Sequence, residues 1–268
     1  MYEINCYNQL QFYPNSISKV TNPMNDSMNE TNNEDSPYSG YEEWKGWTED
    51  KTLPEVPHPT NHDYFTREFK RAKIPPRGKI LEIGFGNGEF LQWAKLNGYD
   101  VSGIEISERL YRLAGKRGFR VFLGTLLEND LEELGFEYDA VILFDVVEHL
   151  PKEMLKGYFE AINQRLKVGG RVIVRFPNGQ SPFSTYAQYG DITHQTVLTG
   201  RLLDQVTRQV GFSMEGCYNT IRTHGKKIRI KKLLKYFLRD LLERALTHLY
   251  LGEHVPWDAS LTCVLVKK

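Results

Sequence analysis

The chain has 268 residues, 40% of them hydrophobic and 25% charged, which is enough for one large soluble globular domain with some decoration. Its formal net charge is zero, so no global field argues for nucleic acid or an acidic membrane as a partner. The three cysteines Cys6, Cys217 and Cys263 stand at no metal-ligand or redox spacing, which argues against a disulfide framework and for a reducing compartment. The opening MYEINCYNQLQFYPNS lacks the basic start and apolar core of a secretory signal. No apolar run approaches the ~20 residues that span a bilayer, and a cytoplasmic protein is expected.

Residues 1–40 are rich in Asn, Ser, Pro, Asp and Glu and poor in large apolar residues. Such a segment buries too little surface to offset its ordering entropy, and disorder or loose packing is expected. Residues 41–78 form an extension: the tryptophans of YEEWKGW dock on the domain or on a substrate edge, Pro54, Pro57 and Pro59 stiffen the connector, and 61–73 has helical spacing with Tyr64, Phe65 and Phe69 on one face.

From Lys79 to the end at 268 the signals alternate. KILEIGF is a short apolar run, as in a buried parallel strand; 87–96 is amphipathic and helical. DVSGIEI is a second strand, and Ser107 caps a helix that stops at Gly118. RVFLGT and YDAVILFD are the third and fourth strands, 152–167 is a long helix ended by Gly169 and Gly170, and RVIVRFP is the fifth strand. A helix over 199–210 and strands over 212–221 and 260–267 complete the series. Strands alternating with helices imply right-handed crossovers and a mostly parallel sheet covered on both faces, an α/β Rossmann-like sandwich. Ligands of such sheets sit outside the C-terminal strand ends, which gathers Gly84–Gly88, Glu105, Thr125 and Asp145 around one crevice.

The segment LEIGFGNGEF carries Glu82, Gly84, Gly86 and Gly88. Glycines there allow positive φ and let a ligand approach bare backbone. The dinucleotide fingerprint would need glycine at 89, where Glu89 stands, and a pyrophosphate is disfavoured by Glu82 and Glu89. A cofactor carrying an ammonium and a sulfonium suits nearby carboxylates better. Glu105 ends the second strand, where a carboxylate can accept both hydroxyls of a ribose.

E-x-G-x-G-x-G followed by a strand-end acid resembles the class I S-adenosylmethionine-dependent methyltransferases, as do DAVILFDVVEHLP (139–151), LKVGGRVIVRFPN (166–178) and the segment 192–212. The resemblance implies a three-layer α/β/α sandwich with a seven-stranded sheet whose last strand is antiparallel. It implies S-adenosylmethionine as cofactor, with Gly84, Gly86 and Gly88 flanking the methionine part and Glu105 holding the ribose. Glu82, Ile106 and Leu126 complete the cofactor set, with Asp145 near the amino end. The family often has Gly-Asp after the third strand; Gly124-Thr125 stands here, so Thr125 or a backbone group would have to hold the adenine.

Methyl transfer to a hydroxyl benefits from a base or a metal. His149 has a pKa range suited to that base, or else it packs beside the cofactor; His194 orients its loop or shares the chemistry, and Glu148 lies beside them in sequence. Asp145, Glu148, His149 and His194 could instead hold a divalent cation, in a spacing similar to the E-x-x-E-H of small-RNA 2′-O-methyltransferases and some quinone-ring O-methyltransferases.

The loop 178–200 mixes aromatics and hydroxyls and suits a sugar or phenolic ring. PNGQSPFS, YGDITH and a basic helix before the last strand look like methyltransferases of surface-polysaccharide intermediates. O-methylation of a small-molecule or glycan acceptor, lipid-linked acceptors included, is therefore expected, with RNA 2′-hydroxyl methylation or a catalytically silent cofactor-binding module as alternatives. Between 226 and 244 eight bases face two acids on a helical, leucine-rich pattern. This insert, 226–250, either packs its apolar side on the domain with a solvated basic face, or lies on an anionic membrane at its inner face. A nucleic-acid partner is not expected.

Overall fold

The computed structural model describes residues 38, 40–47, 53–127, 132–223 and 230–268. The expectation of loose packing over 1–40 falls, apart from residues 38 and 40, outside the described residues.

Seven strands form one sheet among the described residues: β1 (Lys79–Ile83), β2 (Asp100–Glu105), β3 (Arg120–Leu123), β4 (Tyr138–Phe144), β5 (Leu166–Pro177), β6 (Phe212–Asn219) and β7 (Ser260–Lys267). Their order is β3-β2-β1-β4-β5-β7-β6. The pairs from β3 through β5 are parallel, and β7 runs antiparallel between β5 and β6. The helices are α1 (Tyr41–Trp44), α2 (Pro59–Arg71), α3 (Glu89–Leu96), α4 (Glu108–Lys116), α5 (Leu155–Arg165), α6 (Thr185–Tyr189), α7 (Gly200–Arg208) and α8 (Ile230–Leu251).

Local chemistry explains the helix starts. Pro59 opens α2, where its missing N–H costs nothing. Ser107 caps α4 by accepting from the Leu110 N–H at 3.2 Å, and Thr199 caps α7 through the Leu202 N–H at 3.1 Å. Two apolar layers sandwich the sheet. Tyr64, Phe65 and Phe69 of α2 meet Phe90 and Trp93 of α3 on one face; Tyr158, Phe159 and Ile162 of α5 meet Leu203 of α7 on the other. Each such side chain stabilises the fold by roughly 1.5–3 kcal/mol through burial. The three-layer α/β/α sandwich expected from the sequence is the observed fold.

Three expectations change. The helix read over 152–167 is a short 3₁₀ turn over Lys152–Met154 followed by α5, and β5 already begins at Leu166. Tyr138 pairs with Leu166 and Ala140 with Arg171, so the glycines 169 and 170 sit inside a strand irregularity rather than ending a helix. Cys217 and Cys263 are opposite each other on β6 and β7 and form a disulfide. They stand 46 residues apart in sequence, and only antiparallel pairing brings them together. The inference of a reducing compartment loses that support.

The third change concerns α8, which starts at Ile230; residues 226–229 of the basic stretch lie outside the described residues. The helix packs on the domain through its polar edge. Glu243 (4% exposed) and Thr247 (0%) are its buried residues, while Phe237 is 64% exposed. The reading in which the apolar side packs inward is therefore reversed. Charge pairing is the reason: Asp240 meets Arg222 at 2.7 Å, Arg239 pairs with Asp258, and Glu243 accepts from Asn219 at 2.7 Å and meets His254 at 2.9 Å.

Candidate active site

The crevice lies beyond the C-terminal ends of β1, β2 and β4. Gly84, Gly86 and Gly88 all have φ between +53° and +72°. A Cβ at Gly84 would come within 2.7 Å of Val146, and one at Gly86 within 2.9 Å of the Trp47 ring. Side chains are therefore excluded twice, by conformation and by space. Gly88 leads into α3, whose early Leu91 N–H opposes the rise in the Glu82 pKa as a backbone hydrogen bond to its carboxylate.

Glu105 closes β2 and accepts from the N–H groups of Gly86 (2.8 Å), Ile106 (2.9 Å) and Ser107 (3.0 Å). It thereby joins the glycine turn to the start of α4. Burial pushes its pKa up, and the three backbone bonds oppose that rise. Glu82 is buried deeper. Burial and repulsion from Glu105 raise its pKa well above the carboxylate range, and its Oε2 has no hydrogen-bond partner. Thr125 and Leu126 follow β3, with Leu126 buried in the core cluster of the α5 face. Ile106 is 54% exposed at the mouth.

On the other side of the glycine turn, Asp145 follows β4, held at φ +58° and paired with Arg175 of β5 at 3.0 Å. A left-handed non-glycine residue is strained, and the ion pair helps to hold it. The next residues form a 3₁₀ turn, Val147–His149. Glu148 is 1% exposed, and neither of its carboxylate oxygens has a hydrogen-bond partner among the described residues. Burial and repulsion from Asp145 raise its pKa well above the usual range.

His149 belongs to a relay the sequence reading missed. Its Nδ1 lies 2.9 Å from Thr193 Oγ1 and 3.3 Å from the Thr193 carbonyl; a carbonyl only accepts, so Nδ1 carries the proton. Thr193 Oγ1 donates in turn to Asp191 Oδ1 at 2.5 Å. Nε2 of His149 is left with its lone pair. Burial and the neighbouring His194 hold the His149 pKa below its ordinary value. His194 donates Nδ1–H to the Gln188 carbonyl at 2.9 Å, and its Nε2 stands 3.7 Å from Asp191. The available signal was the D-I-T of YGDITH: an Asp two residues before a Thr builds an Asx turn, and the Thr193 N–H does bond Asp191 Oδ1 at 3.0 Å.

The segment around α1 spans both halves of the crevice. Glu42 bonds Ser107 and Arg109 at the α4 end, Trp47 covers Gly86, and Lys45 pairs with Asp191 at 3.3 Å. Ring contacts run from Trp47 to Tyr41 (5.9 Å) and from Tyr41 to His149 (6.1 Å). Of the two tryptophans expected to dock, Trp47 does so and Trp44 is 61% exposed.

Glu148, His149 and His194 each offer a ligand atom within 4.8 Å of the others, while Asp145 stands outside this group with Arg175. The four-residue cation set that the sequence offered as an alternative is thus reduced to three.

Residues 59–215 match the family model of a methyltransferase domain, and the chain belongs to that family. Its fold is that of the class I S-adenosylmethionine-dependent methyltransferases. A methyltransferase of that kind from Archaeoglobus fulgidus superposes with a TM-score of 0.54 at 19% identity, covering 77% of this chain and 94% of the other. The cyclopropane synthase MmaA2 of Mycobacterium tuberculosis gives 0.52 at 15% identity, covering 82% and 87%. Among curated proteins, tuberculostearic acid methyltransferase UfaA1 of Mycobacterium tuberculosis is 29% identical over 107 residues, 39% of this chain and 25% of its own length. The cyclopropane-fatty-acyl-phospholipid synthase of Escherichia coli K12 is 29% identical over 105 residues, 38% and 26%. The chain thus spans about a quarter of the length of these two curated relatives.

The residues present fit the family's cofactor: the turn keeps three glycines at positive φ, a strand-end carboxylate accepts from the Gly86 N–H, and the buried Glu82 Oε2 has no hydrogen-bond partner among the described residues.

Proposed function

We propose that this chain transfers a methyl group from S-adenosylmethionine to a hydroxyl oxygen of a small-molecule or glycan acceptor. The observation that carries the reading is the Asp191–Thr193–His149 relay, in which the loop after α6 meets His149 three residues beyond Val146, the neighbour of Gly84. S-adenosylmethionine, when bound, supplies an electrophilic methyl on a sulfonium. Gly84, Gly86 and Gly88 would border its methionine part, and Glu105 its ribose. Ile106, Thr125 and Leu126 would border the adenine, with Asp145 and Glu82 toward the positive end.

His149 acts as general base through Nε2, taking the proton of the acceptor hydroxyl. The Thr193 hydroxyl fixes the tautomer, and Asp191 stabilises the imidazolium that forms. His194 and Lys45 hold Asp191 in place. The loop 178–200, with Tyr186 and Tyr189 exposed on α6, would receive the acceptor, and the mix of rings and hydroxyls favours a sugar. The two curated relatives named above carry lipid acceptors in their names; a lipid-linked glycan would reconcile that chemistry with this loop.

One observation favours a second reading. Glu148, His149 and His194 converge, and the buried Glu148 oxygens have no partner. A divalent cation there would lower an acceptor hydroxyl's pKa and would also suit an RNA 2′-hydroxyl.

Calorimetric titration with S-adenosylmethionine, its demethylated product and NAD tests the cofactor, repeated with Gly86→Val and Glu105→Ala. Micromolar binding of the adenosyl ligands, lost in either variant, supports it; preferential NAD binding refutes it. Labelled methyl transfer to a panel of glycan hydroxyls then tests the chemistry. His149→Ala should lower turnover by about 10²–10⁴-fold with cofactor affinity kept. Unchanged turnover makes His149 structural, and no turnover with any acceptor leaves a silent module. Loss of activity in chelator, restored by Mg²⁺ or Mn²⁺ and abolished by Glu148→Gln, selects the metal reading.

A further inference from the structure

A soluble amphipathic helix normally buries its apolar stripe and shows water its charges. Helix α8 does the opposite. Along its 22 residues, Tyr236, Asp240, Glu243 and Thr247 recur at helical spacing, and that polar edge faces the domain. Asp240 is tied to Arg222 and Glu243 to Asn219 and His254, while the Arg222 guanidinium lies 5.0 Å from the Tyr236 ring. The helix is therefore fixed in rotation by ion pairs and hydrogen bonds. What it turns outward is Leu234, Phe237, Leu238, Leu241, Leu242 and Leu249, each between 45% and 75% exposed. Contiguous apolar surface of this kind marks an interaction site rather than ordinary surface.

The charges on the helix say what covers it. Lys231, Lys232, Lys235 and Arg244 are exposed, whereas the two acids of the helix, Asp240 and Glu243, are engaged with Arg222 and with Asn219 and His254. An apolar strip bordered by unopposed bases complements an anionic lipid surface: leucines enter the acyl boundary while lysines stay among the headgroups. A second copy on a two-fold axis would instead bring the same lysines against one another. Among the described residues no helix is long and apolar enough to cross a membrane, so α8 could lie on a bilayer and not through it.

We propose that α8 seats the protein on the surface of an anionic bilayer, with the Leu234–Leu249 face inserted at the headgroup boundary. This holds whether or not the acceptor is lipid-linked, because it rests on the helix and not on the crevice.

The test is co-sedimentation of the full chain with vesicles of phosphatidylglycerol and phosphatidylcholine, against phosphatidylcholine alone, at low and physiological salt. Binding should require the anionic lipid and weaken with salt. Leu238→Glu with Leu241→Glu should lower it at least tenfold, as should Lys231→Glu with Lys232→Glu and Lys235→Glu. Calorimetric S-adenosylmethionine binding checks that the folded crevice survives in each variant, since these side chains are exposed. Absence of binding to anionic vesicles, or binding untouched by both variants, overturns the proposal. A dimer in light scattering that the leucine variant dissociates, without vesicle binding, also overturns it and assigns the face to a second copy.

Discussion

Replacing Asp191 with Asn tests the relay through stability as well as rate. Asp191 is 7% exposed and gathers Thr193 Oγ1 at 2.5 Å, the Thr193 N–H at 3.0 Å, Lys45 Nζ at 3.3 Å and His194 Nε2 at 3.7 Å. Burial acts to raise its pKa, but the Thr193 bonds and the Lys45 and His194 charges outweigh burial and hold it at about 2, below the ordinary 3.8. A carboxyl with a depressed folded pKa contributes stability above its unfolded pKa and loses it as pH falls through the folded one. The shift corresponds to about 2 kcal/mol at pH 7, nearly all of it still present at pH 4 and roughly half at pH 3. Asn mimics the protonated carboxyl, so Asp191→Asn should cost about 2 kcal/mol at pH 7, or about 4–8 °C in Tm for a domain of this size. Urea unfolding of both proteins at pH 7 and pH 3 measures the difference. A penalty below about 0.5 kcal/mol at pH 7, or one equal at both pH values, would refute the claim that Asp191 is held ionised by these partners.

Other expectations follow from the same geometry. The lowered His149 pKa keeps the base neutral below pH 6.5, so kcat/KM should fall only on the acid side of that value, and His149→Gln should remove this limb of the profile. Glu68, 0% exposed and paired with Arg71, also faces Ile221 and Thr262; Glu68→Leu should cost about 1–3 kcal/mol in urea unfolding, because it removes the carboxylate partner of Arg71, whose guanidinium keeps the Asn219 carbonyl and the Tyr218 ring. Phe159→Ala, at the centre of the α5 layer, should cost about 3–5 kcal/mol by the same measurement.

The fold was legible because its signals are local. Apolar runs such as Ile80–Ile83 and Ala140–Leu143 mark buried parallel strands, and Ser107, Thr199 and Gly118 mark helix ends. The glycine turn and Glu105 were legible because their spacing is fixed by one strand–turn–helix unit. What stayed hidden depends on distant partners. Thr193 and Asp191 gain meaning only when the loop carrying them meets His149, 44 residues upstream of Thr193. Cys217 and Cys263 meet through strand pairing. The rotation of α8 was misjudged because its leucines spread around much of the helix; Arg222, Asn219 and Asp258 choose the buried edge, and none of them lies on it.

The acidic character of the crevice also narrows its ligand. Glu82 and Glu105 repel each other behind the glycine turn, as Asp145 and Glu148 do on the β4 side, and burial raises Glu82, Glu105 and Glu148 above the ordinary carboxylate range. Among the described residues Arg175, through its pair with Asp145, and Lys45 act against the rise at Glu148, and burial still prevails. A ligand bringing positive charge relieves both repulsions and restores ionisation to groups that burial has disfavoured. A pyrophosphate would add negative charge to the same low-dielectric space and deepen the penalty. The preference for a sulfonium-bearing cofactor over a dinucleotide therefore follows from the carboxylates, independently of the glycine pattern. It predicts that Glu82→Gln weakens S-adenosylmethionine more than its neutral-sulfur product; equal loss for both in calorimetry would show that Glu82 shapes the turn and does not sense the charge.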